Sequence, residues 1–285
     1  MSVALLIDRQ NSDGGWPYAK GPSWTEPTCY AALALLAAGE ATAAQRGFEW
    51  LRAAQRPDGG WPPQLGVPQS VWVTALAAFA PPERIGAQAH RRAVEWLMGN
   101  SGAETAFAYR ARQWLLGNQE PYDQRFPGWP WMPGAAAWVG PTSLAVLALA
   151  KAASRNSSSA LRERIEQGRN FLLSRVCDGG GWNHGSTHAL GYSSRAYPET
   201  TGMALAALRG TKSGAVERSI DLAIYFLADS KAADASNWLR LGLGAHGRLP
   251  AENGAPAKLK CRNLCEVALG LMAASPEGGD GSLWS

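Results

Sequence analysis

The sequence of 285 residues predicts an all-α ring of helices in two concentric layers. The first observation is a turn that occurs three times, Asp-Gly-Gly followed closely by Trp, at Asp13–Trp16, Asp58–Trp61 and Asp178–Trp182. Each copy ends one helical pattern and precedes another, so a helix, a glycine turn and a second helix form a repeating unit. The second observation is that two kinds of helical pattern alternate along the chain. The third is a near-constant spacing from the turn to the next helix.

The helical patterns are of an outer and an inner kind. Amphipathic patterns with a charged face occupy 43–55, 87–99, 161–176 and 216–228. Small apolar patterns occupy 27–38, 71–80, 141–152 and 198–208. A helix with a charged face can meet water, whereas a helix that is apolar on every face must be buried. We therefore expect an outer charged layer around an inner apolar layer, with about twelve helices in six hairpins.

The apolar helices share a start signal. Pro precedes Thr in Pro27-Thr28 and Pro141-Thr142, and Pro198 precedes Thr200, whereas Val73-Thr74 is a weaker copy. Proline suits the first turn of a helix, where its missing N–H costs nothing. The spacing from the turn tryptophan to the threonine is 12, 13, 13 and 18 residues for the pairs Trp16/Thr28, Trp61/Thr74, Trp129/Thr142 and Trp182/Thr200.

The remaining segments are less regular. Two more helices are predicted over 233–244 and 259–274, without a glycine-tryptophan turn. Segment 104–118 is amphipathic where an inner helix is due, and the pattern does not place it in the ring. We predict one toroid domain over 1–275 and a loose C-terminal tail over 276–285.

Composition limits the function. Hydrophobic residues make up 46% of the chain, enough for a large core, and charged residues only 18%, which argues against disorder. The thirteen Trp indicate either many packing anchors or an aromatic-lined cavity. The net charge of +4 without a basic run gives no reason to expect a nucleic-acid partner. Four cysteines in this length do not predict a disulfide framework. We expect a cytoplasmic protein without a signal peptide or membrane span, and peripheral membrane contact stays open.

The second repeat carries the most specific pattern. It reads Arg46-Gly47-Phe48-Glu49-Trp50-Leu51, then Gln55, Gly59 and Trp61. This resembles the QW motif of the terpenoid cyclase and protein prenyltransferase toroid family. Partial copies carry the resemblance over about residues 1–210.

The resemblance implies a fold and a role for the turns. The family includes squalene–hopene cyclases, oxidosqualene cyclases, class II diterpene cyclases and prenyltransferase β subunits, and its fold is an (α/α)6 toroid, or barrel. In that family the QW residues are structural. The resemblance therefore assigns the Asp-Gly-Gly turns, Gln10, Gln55 and the turn tryptophans to the scaffold.

The mouth of the ring is the predicted site. Parallel inner helices bring their N-termini together, where the helix dipoles favour an anion. The loops over this mouth carry aromatic and basic side chains, which suit a hydrophobic substrate with an anionic head. The aromatic rings can also stabilise carbocations. The predicted substrate-binding residues are Trp24, Trp131, Trp138, His184, His188, Tyr192, Arg195 and Tyr197. An alternative is that the indoles only pack the loops over a narrow hole.

The acid candidates lie at the starts of inner helices. Glu199 and Glu26 are the predicted catalytic carboxyls, with Glu199 first because its loop is the most polar and aromatic; Glu266 lies on the last helix. A carboxyl in an apolar cavity has a raised pKa and can act as a general acid. The competing interpretation is that these charges only complement the helix dipole.

Motifs that the family uses elsewhere are missing. The sequence has neither the Asp-x-Asp-Asp acid motif nor an Asp-Asp-x-x-Asp cluster, and its length suits one barrel. Cys29, Cys261 and Cys265 are weak zinc candidates, because the ligand spacing of prenyltransferases is absent, and each suits a small buried hydrophobe. We therefore predict no cofactor and no metal.

The sequence thus predicts a terpene-cyclase-like enzyme that protonates an isoprenoid with a carboxylic acid and cyclises the resulting carbocation. Its partner would be a small hydrophobic substrate. Alternatives are a non-catalytic isoprenoid or lipid-binding toroid and a zinc-dependent prenyltransferase-like enzyme. A carbohydrate-active toroid, with carboxylates about 5–10 Å apart, ranks last. The sequence predicts no oligomeric state.

Overall fold

The fold was analysed in a computed structural model, which describes residues 2–106, 111, 115–116, 126–185, 188–189, 192–251 and 259–274. These residues form twelve α-helices. The helices are α1 (Val3–Asp8), α2 (Thr25–Ala37), α3 (Ala41–Ala54), α4 (Val73–Ala77), α5 (Pro82–Ile85), α6 (Ala87–Gly99), α7 (Val139–Arg155), α8 (Ser159–Leu173), α9 (Pro198–Ala207), α10 (Gly214–Asp229), α11 (Ala233–Ala245) and α12 (Leu264–Ala273). A short antiparallel hairpin pairs His188–Ala189 with Tyr192–Ser193. None of the described helices could cross a bilayer.

Six helices close an inner ring. In order they are α2, α4, α7, α9, α11 and α12; each contacts the next, and α12 returns to α2. Helices α1, α3, α6, α8 and α10 pack around this ring, and the short α5 lies against α3 and α6. Most residues of the inner helices are buried, whereas α3, α6 and α10 bury only one face. The predicted all-α toroid with two layers is therefore confirmed.

The turn tryptophans join the two layers. Each indole Nε1 donates to a carbonyl near the end of an outer helix: Trp16 to Leu6, Trp61 to Leu51 and Trp182 to Leu172, all at 2.7 Å, and Trp129 to Leu97 at 2.8 Å. The indoles of Trp16, Trp61 and Trp182 are fully buried. A buried indole N–H needs an acceptor, so this bond fixes each tryptophan under the end of its helix.

The tryptophan backbones reach the inner helices. The N–H groups of Trp16, Trp61 and Trp129 donate to the hydroxyls of Thr28, Thr74 and Thr142 at 2.8–2.9 Å. In the fourth copy the acceptor is Thr201 at 3.0 Å, and not Thr200, the threonine counted in the sequence spacing. The hydroxyl of Thr200 instead donates to the Trp182 carbonyl at 2.7 Å.

The register of the inner helices explains this difference. In α2, α7 and α9 the accepting threonine lies four residues after an aromatic N-cap residue: Trp24, Trp138 and Tyr197, respectively. Helix geometry, and not loop length, therefore selects Thr201. The N-cap residue also donates its own N–H to the carbonyl of the turn tryptophan, as Trp24 does to Trp16 at 2.9 Å.

Glutamine and glycine complete the outer layer. The Gln55 amide donates to the carbonyls of Gly59 and Ala89 at 2.8 Å, and Gln10 makes the same pair of bonds to Gly14 and Ala43. Gly59 has φ +93°, and a Cβ there would lie 2.7 Å from the Arg92 carbonyl oxygen. Both the left-handed conformation and the close approach require glycine. These contacts agree with the scaffold role predicted for the turns.

Three predicted segments differ in the structure. Helix α4 covers only 73–77 of the predicted 71–80, because its end tightens into i→i+3 bonds before Pro81 and Pro82. Helix α12 begins at Leu264, not at 259, since Asn263 caps it. Glu104 lies in the 3-10 turn Ala103–Thr105, where the Ala137 N–H donates to its carboxylate. Most of the rest of 104–118 and the tail 276–285 lie outside the described residues.

Replacing Gln55 with alanine should destabilise the ring. Gln55→Ala leaves the Gly59 and Ala89 carbonyls without their shared donor, so we expect the free energy of unfolding to fall by about 1–3 kcal/mol in urea melts. The matched control is Gln45→Ala on the same helix, because the Gln45 amide contacts only Glu49 at the surface. An equal loss in both variants would contradict the assignment.

Candidate functional site

A collar of loops surrounds the mouth at the N-termini of the inner helices. We define the collar as the described residues of 10–24, 56–72, 126–138, 174–197 and 259–263. Backbone bonds join its loops in turn: the Thr25 N–H donates to Pro63 at 2.9 Å, Trp72 to Trp131 at 3.1 Å, Val139 to His184 at 3.0 Å and Leu264 to Tyr18 at 2.8 Å. The collar therefore holds residues from distant parts of the chain at one end of the ring.

Aromatic side chains occupy one part of the collar. The His184 ring lies 5.9 Å from that of Trp138 and 5.3 Å from that of Tyr197. Trp138 and Tyr197 are 40% and 45% exposed, although both are N-cap residues of inner helices. Trp72 and Trp131 make an edge-to-face pair at 4.9 Å. These rings leave apolar faces available at the mouth.

Carboxyls occupy the first turns of four inner helices. Glu26 begins α2, Glu199 begins α9, Asp234 begins α11 and Glu266 begins α12. Sequence reasoning named three of them and missed Asp234. A signal was present, because Asp234 is the second residue of its helix, as Glu26 and Glu199 are of theirs.

Glu26 is crowded by the protein but still reaches solvent. Burial, above all, raises its pKa above the ordinary value, and the nearby Asp234 raises it further. The Tyr18 hydroxyl donates to Glu26 Oε2 and acts in the opposite direction, because it stabilises the carboxylate. The Tyr18 ring in turn lies 5.5 Å from that of Trp24. Glu26 is therefore a crowded carboxyl that solvent can still reach.

Asp234 has the same character. Burial, then the charges of Glu266 and Glu199, raise the pKa of Asp234 from 3.8 to about 6, against an opposing effect of Arg262. Asp234 keeps part of its surface accessible. A carboxyl with such a pKa is partly protonated near neutral pH and can both donate and accept a proton.

Glu266 is held differently from these two groups. Its carboxylate accepts from Arg262 Nε at 2.9 Å and from the Arg262 N–H at 2.7 Å, and its own N–H donates to the Asn263 side chain at 3.0 Å. Its side chain is 3% exposed. These bonds hold the Glu266 side chain in place against Arg262.

Cysteines lie close to these carboxyls. Cys29 and Cys265 are buried, Cys261 is half-buried, and burial raises the pKa of all three thiols. Among the described residues, no three or more His, Cys, Asp and Glu side chains are grouped to hold a metal ion. The buried thiols match the expectation of small hydrophobes.

The structure places the predicted binding residues unevenly. Trp24 and Trp131 are half-buried in the collar, and His184 and Arg195 are exposed there. The backbones of His188 and Tyr192 lie in the short hairpin, whereas their side chains fall outside the described part of the structure. Trp72 was missed by sequence reasoning, although it directly precedes an inner helix.

Comparison with known proteins identifies the fold. A scan of protein-family models found no match, and a search of curated proteins found none similar. Among solved structures, a variant of the type II terpene cyclase MstE from Scytonema, in complex with geranylgeranyl dihydroxybenzoate, superposes with TM-score 0.56 at 18% identity over 99% of this chain and 78% of its own. This chain has the α/α toroid fold.

The same toroid fold occurs in glycoside-cleaving enzymes. A glycosidase variant gives TM-score 0.60 at 13% identity over 99% of this chain and 95% of its own. A GH8 endo-β-1,4-glucanase from an Achatina fulica gut metagenomic library gives 0.58 at 13%, over 96% and 97%. At these sequence identities the similarity to the solved structures shows only a shared fold, so the chemistry of this chain must be argued from its site.

Neutralising Asp234 should stabilise the protein at alkaline pH. Folding raises the pKa of Asp234 from 3.8 to about 6, so the ionised carboxylate destabilises the folded state above pH 6. This destabilisation disappears as the pH falls from about 6 to 4, because the carboxyl is then protonated in the folded state. We expect Asp234→Asn to raise the free energy of unfolding by about 1–3 kcal/mol at pH 8 and very little at pH 4.

Urea melts at the two pH values measure this difference. The control is Asp221→Asn on α10, whose side chain is 73% exposed. It should change stability little at either pH. A lower free energy of unfolding for Asp234→Asn at pH 8 would show that the ionised Asp234 carboxylate does not destabilise the fold.

Proposed function

We propose that this toroid is an acid-catalysing enzyme that protonates an isoprenoid and guides the cyclisation of the resulting carbocation. Glu26 and Asp234 are the proposed acid pair. The observation that carries the proposal is that burial and neighbouring carboxylates raise the pKa of both carboxyls, which lie at the starts of two inner helices, and that Glu26 is bonded to Tyr18 of the Tyr18–Trp24 ring pair. Glu199 then has a supporting role, since its charge helps to raise the pKa of Asp234.

The proposed reaction begins with proton transfer. The protonated carboxyl gives its proton to an alkene carbon or an epoxide oxygen of the substrate, which leaves a carboxylate and a carbocation. Ring-forming attack by further double bonds moves the cation along the chain. Loss of a proton from the last cation gives the product, and the carboxylate regains a proton from solvent, so the enzyme returns to its starting state.

Two local features suit these steps. The Tyr18 hydroxyl, which donates to Glu26, can stabilise the carboxylate after proton transfer. The rings of Trp24, Trp72, Trp131 and Trp138 can stabilise the travelling cation, and each such contact contributes about 0.5–2 kcal/mol. A water-poor aromatic wall also protects the cation from hydrolysis.

The proposed substrate is a prenyl chain with a polar or anionic head. MstE is described in complex with such a molecule, geranylgeranyl dihydroxybenzoate. In the present chain the collar supplies exposed cations at Lys20, Arg195 and Lys260, which can receive an anionic head. The exposed rings of Trp138 and Tyr197 would receive the prenyl chain.

Loss of either acid should abolish turnover. The full chain is incubated with geranylgeranyl diphosphate or a geranylgeranylated dihydroxybenzoate, and cyclised products are measured by mass spectrometry. We expect Glu26→Gln and Asp234→Asn each to lower the rate by about 10²-fold or more, since neither amide can donate an acidic proton. The control Glu217→Gln removes an exposed carboxylate of α10 and should keep the rate.

Glu199→Gln tests whether the acid is the pair Glu26 and Asp234 or, as the sequence predicted, Glu199. With Glu26 and Asp234 as the acids, this variant shifts the pH dependence and retains turnover. If Glu199→Gln abolishes turnover and the other two variants do not, Glu199 is the acid as the sequence suggested. Binding of the prenyl compounds without any product would instead support the non-catalytic toroid.

Glycoside hydrolysis is the second candidate. It is favoured by one observation, the four carboxyls at one mouth beside exposed aromatic rings, because two carboxyls and a stacking platform are what a glycosidase requires. Release of reducing ends from a β-1,4-glucan, lost in the same two acid variants, would support this candidate over the cyclase. Zinc that copurifies in equal molar amount would support the prenyltransferase-like alternative.

We also propose that the collar rests on an anionic membrane surface. Leu65 and Met132 of the collar have 55% and 51% of their surface exposed, and Lys20, Arg195 and Lys260 are exposed in the same collar. Apolar side chains that enter the interface, together with cations at headgroup level, are typical of peripheral binding. A prenyl substrate could then pass from the bilayer into the mouth.

Vesicle flotation tests the membrane proposal without any substrate. We expect binding to vesicles with anionic lipid to exceed binding to phosphatidylcholine vesicles and to weaken with salt. Leu65→Gln/Met132→Gln should lower the partition coefficient about tenfold. The matched control Leu5→Gln/Ile7→Gln changes two residues of similar apolar character on α1, 36% and 39% exposed. Equal losses in both double variants, or no binding by the unaltered chain, would overturn the proposal.

A further inference from the structure

We infer that Gly140 opens an apolar subsite at the mouth, bounded by Trp131 and Met203, which seats a hydrocarbon segment of the substrate. This inference rests on the proposed function, because the segment would belong to the prenyl chain of that substrate. It gives a role to a glycine and a methionine that the proposed proton transfer does not use.

The register of the inner helices places Gly140 at the mouth. Four inner helices carry, at one height, the threonine that accepts from a turn tryptophan: Thr28, Thr74, Thr142 and Thr201. The residues two positions before these threonines are Glu26, Trp72, Gly140 and Glu199, respectively. Two helical residues correspond to a rotation of about 200°, so these four positions share one height and one face. Gly140 is therefore the position on α7 that corresponds to the carboxyls of α2 and α9.

The fold does not need a glycine at this position. Gly140 lies in the first turn of α7 without a positive φ, and a Cβ there would lie 3.4 and 3.5 Å from Cζ2 and Cη2 of Trp131 and 3.8 Å from Cε of Met203. These are ordinary van der Waals distances, so alanine would fit. At Gly202 and Gly242, by contrast, a Cβ would lie 2.3 and 2.5 Å from backbone atoms of the facing inner helix. Those two glycines allow close helix packing, whereas Gly140 leaves room for a methyl-sized group between two apolar side chains.

Trp131 connects this space to an aromatic wall. Its ring packs edge-to-face on that of Trp72 at 4.9 Å, and the Trp72 N–H donates to the Trp131 carbonyl at 3.1 Å. Both residues are half-buried, so part of their surface is accessible. In the ring, α4 and α7 stand opposite α11 and α12, which begin with Asp234 and Glu266 in their first turns. The mouth therefore has an apolar side that faces an acidic side.

Met203 extends the mouth beside Gly140. It lies four residues after Glu199, on the same face of α9. Met203 is half-buried, although Gly202 and Ala204 on either side of it are buried. The residues at the corresponding height on α2, α4 and α7 are all buried: Tyr30, Leu76 and Leu144. The accessible surface thus reaches about one helical turn further down on this side, where a flexible thioether can adapt to an apolar ligand.

The chemistry of this subsite selects a hydrocarbon. Gly140 and Met203 have no side-chain N–H or O–H group, and the indole N–H is the only such donor of Trp131. A sugar would bring several hydroxyls that this surface leaves unpaired, which is unfavourable. A methyl-branched prenyl chain has no such groups and gains by leaving water.

Filling the space should weaken prenyl binding without weakening the fold. Calorimetric titration of the full chain with geranylgeranyl diphosphate measures the Kd. We expect binding to weaken about fourfold in Gly140→Ala and about tenfold or more in Gly140→Val, because each added group displaces a buried CH2 of the ligand. The affinity for inorganic diphosphate should stay the same. Since alanine favours a helix over glycine, Gly140→Ala should not lower the Tm.

The matched controls are Gly99→Ala and Gly99→Val at the end of α6. A Cβ on Gly99 would meet no atom within 4 Å, so these variants should keep the Kd of the unaltered chain. An equal loss of affinity in the Gly99 and Gly140 variants would overturn the inference.

A second substitution separates occupied volume from a structural role. Met203→Ala removes a side chain that bounds the space, so Gly140→Val/Met203→Ala should recover most of the affinity that Gly140→Val loses. An unchanged Kd in Gly140→Val, or no recovery in the double variant, would overturn the inference. If Gly140→Val does not fold, Gly140→Ala decides: weaker binding at an unchanged or higher Tm supports the subsite, and any other result overturns it.

Binding and turnover together separate this inference from the proposed function. Weaker binding in the Gly140 variants, with no cyclised product from the unaltered chain, would support the subsite and remove the proposed reaction. Product formation with an unchanged Kd in Gly140→Val would overturn the inference and leave the proposed function intact. If the unaltered chain does not bind geranylgeranyl diphosphate, the inference is wrong whatever reaction the chain catalyses.

Discussion

A hydrogen bond from a tryptophan backbone N–H to a threonine hydroxyl sets the height of four inner helices, α2, α4, α7 and α9. It is formed by Trp16, Trp61, Trp129 and Trp182, and each of these tryptophans also binds an outer helix through its indole. Both partners of each bond are buried, so leaving one unpaired would cost about 1–3 kcal/mol. Because this bond recurs, inner helices from different repeats begin at the same level.

That common level creates the candidate site. The second residues of α2 and α9 are both carboxyls, so equal heights bring them to one mouth, and the packing of α11 against α9 adds Asp234, the second residue of α11. The helix dipoles favour their ionised forms, but burial and mutual repulsion oppose ionisation. For Glu26 and Asp234 the opposing effects are larger, and their pKa values rise. The ionised carboxyls at the mouth are therefore unfavourable for folding, but a raised pKa is the property that an acid catalyst needs.

The toroid fold itself does not choose a chemistry. Terpene cyclases and glycoside hydrolases both superpose on this chain with TM-scores between 0.5 and 0.6. Function in such a ring depends on the first turns of the inner helices and on the collar. Here the candidate acids come from separate helices, which explains how an acid site can exist without the Asp-x-Asp-Asp motif.

The sequence by itself determined the ring, the two layers, the tryptophan and glutamine scaffold, and the placement of the carboxyls Glu26, Glu199 and Glu266 near the starts of inner helices. Those features depend on periodicity and on turns within one repeat, which neighbouring residues control. Only the tertiary structure decided that Thr201 and not Thr200 accepts from Trp182, that Asp234 joins Glu26, and that Arg262 fixes Glu266. Glu26 and Asp234 come from opposite ends of the chain. Their meeting depends on closure of α12 against α2, which no local pattern specifies.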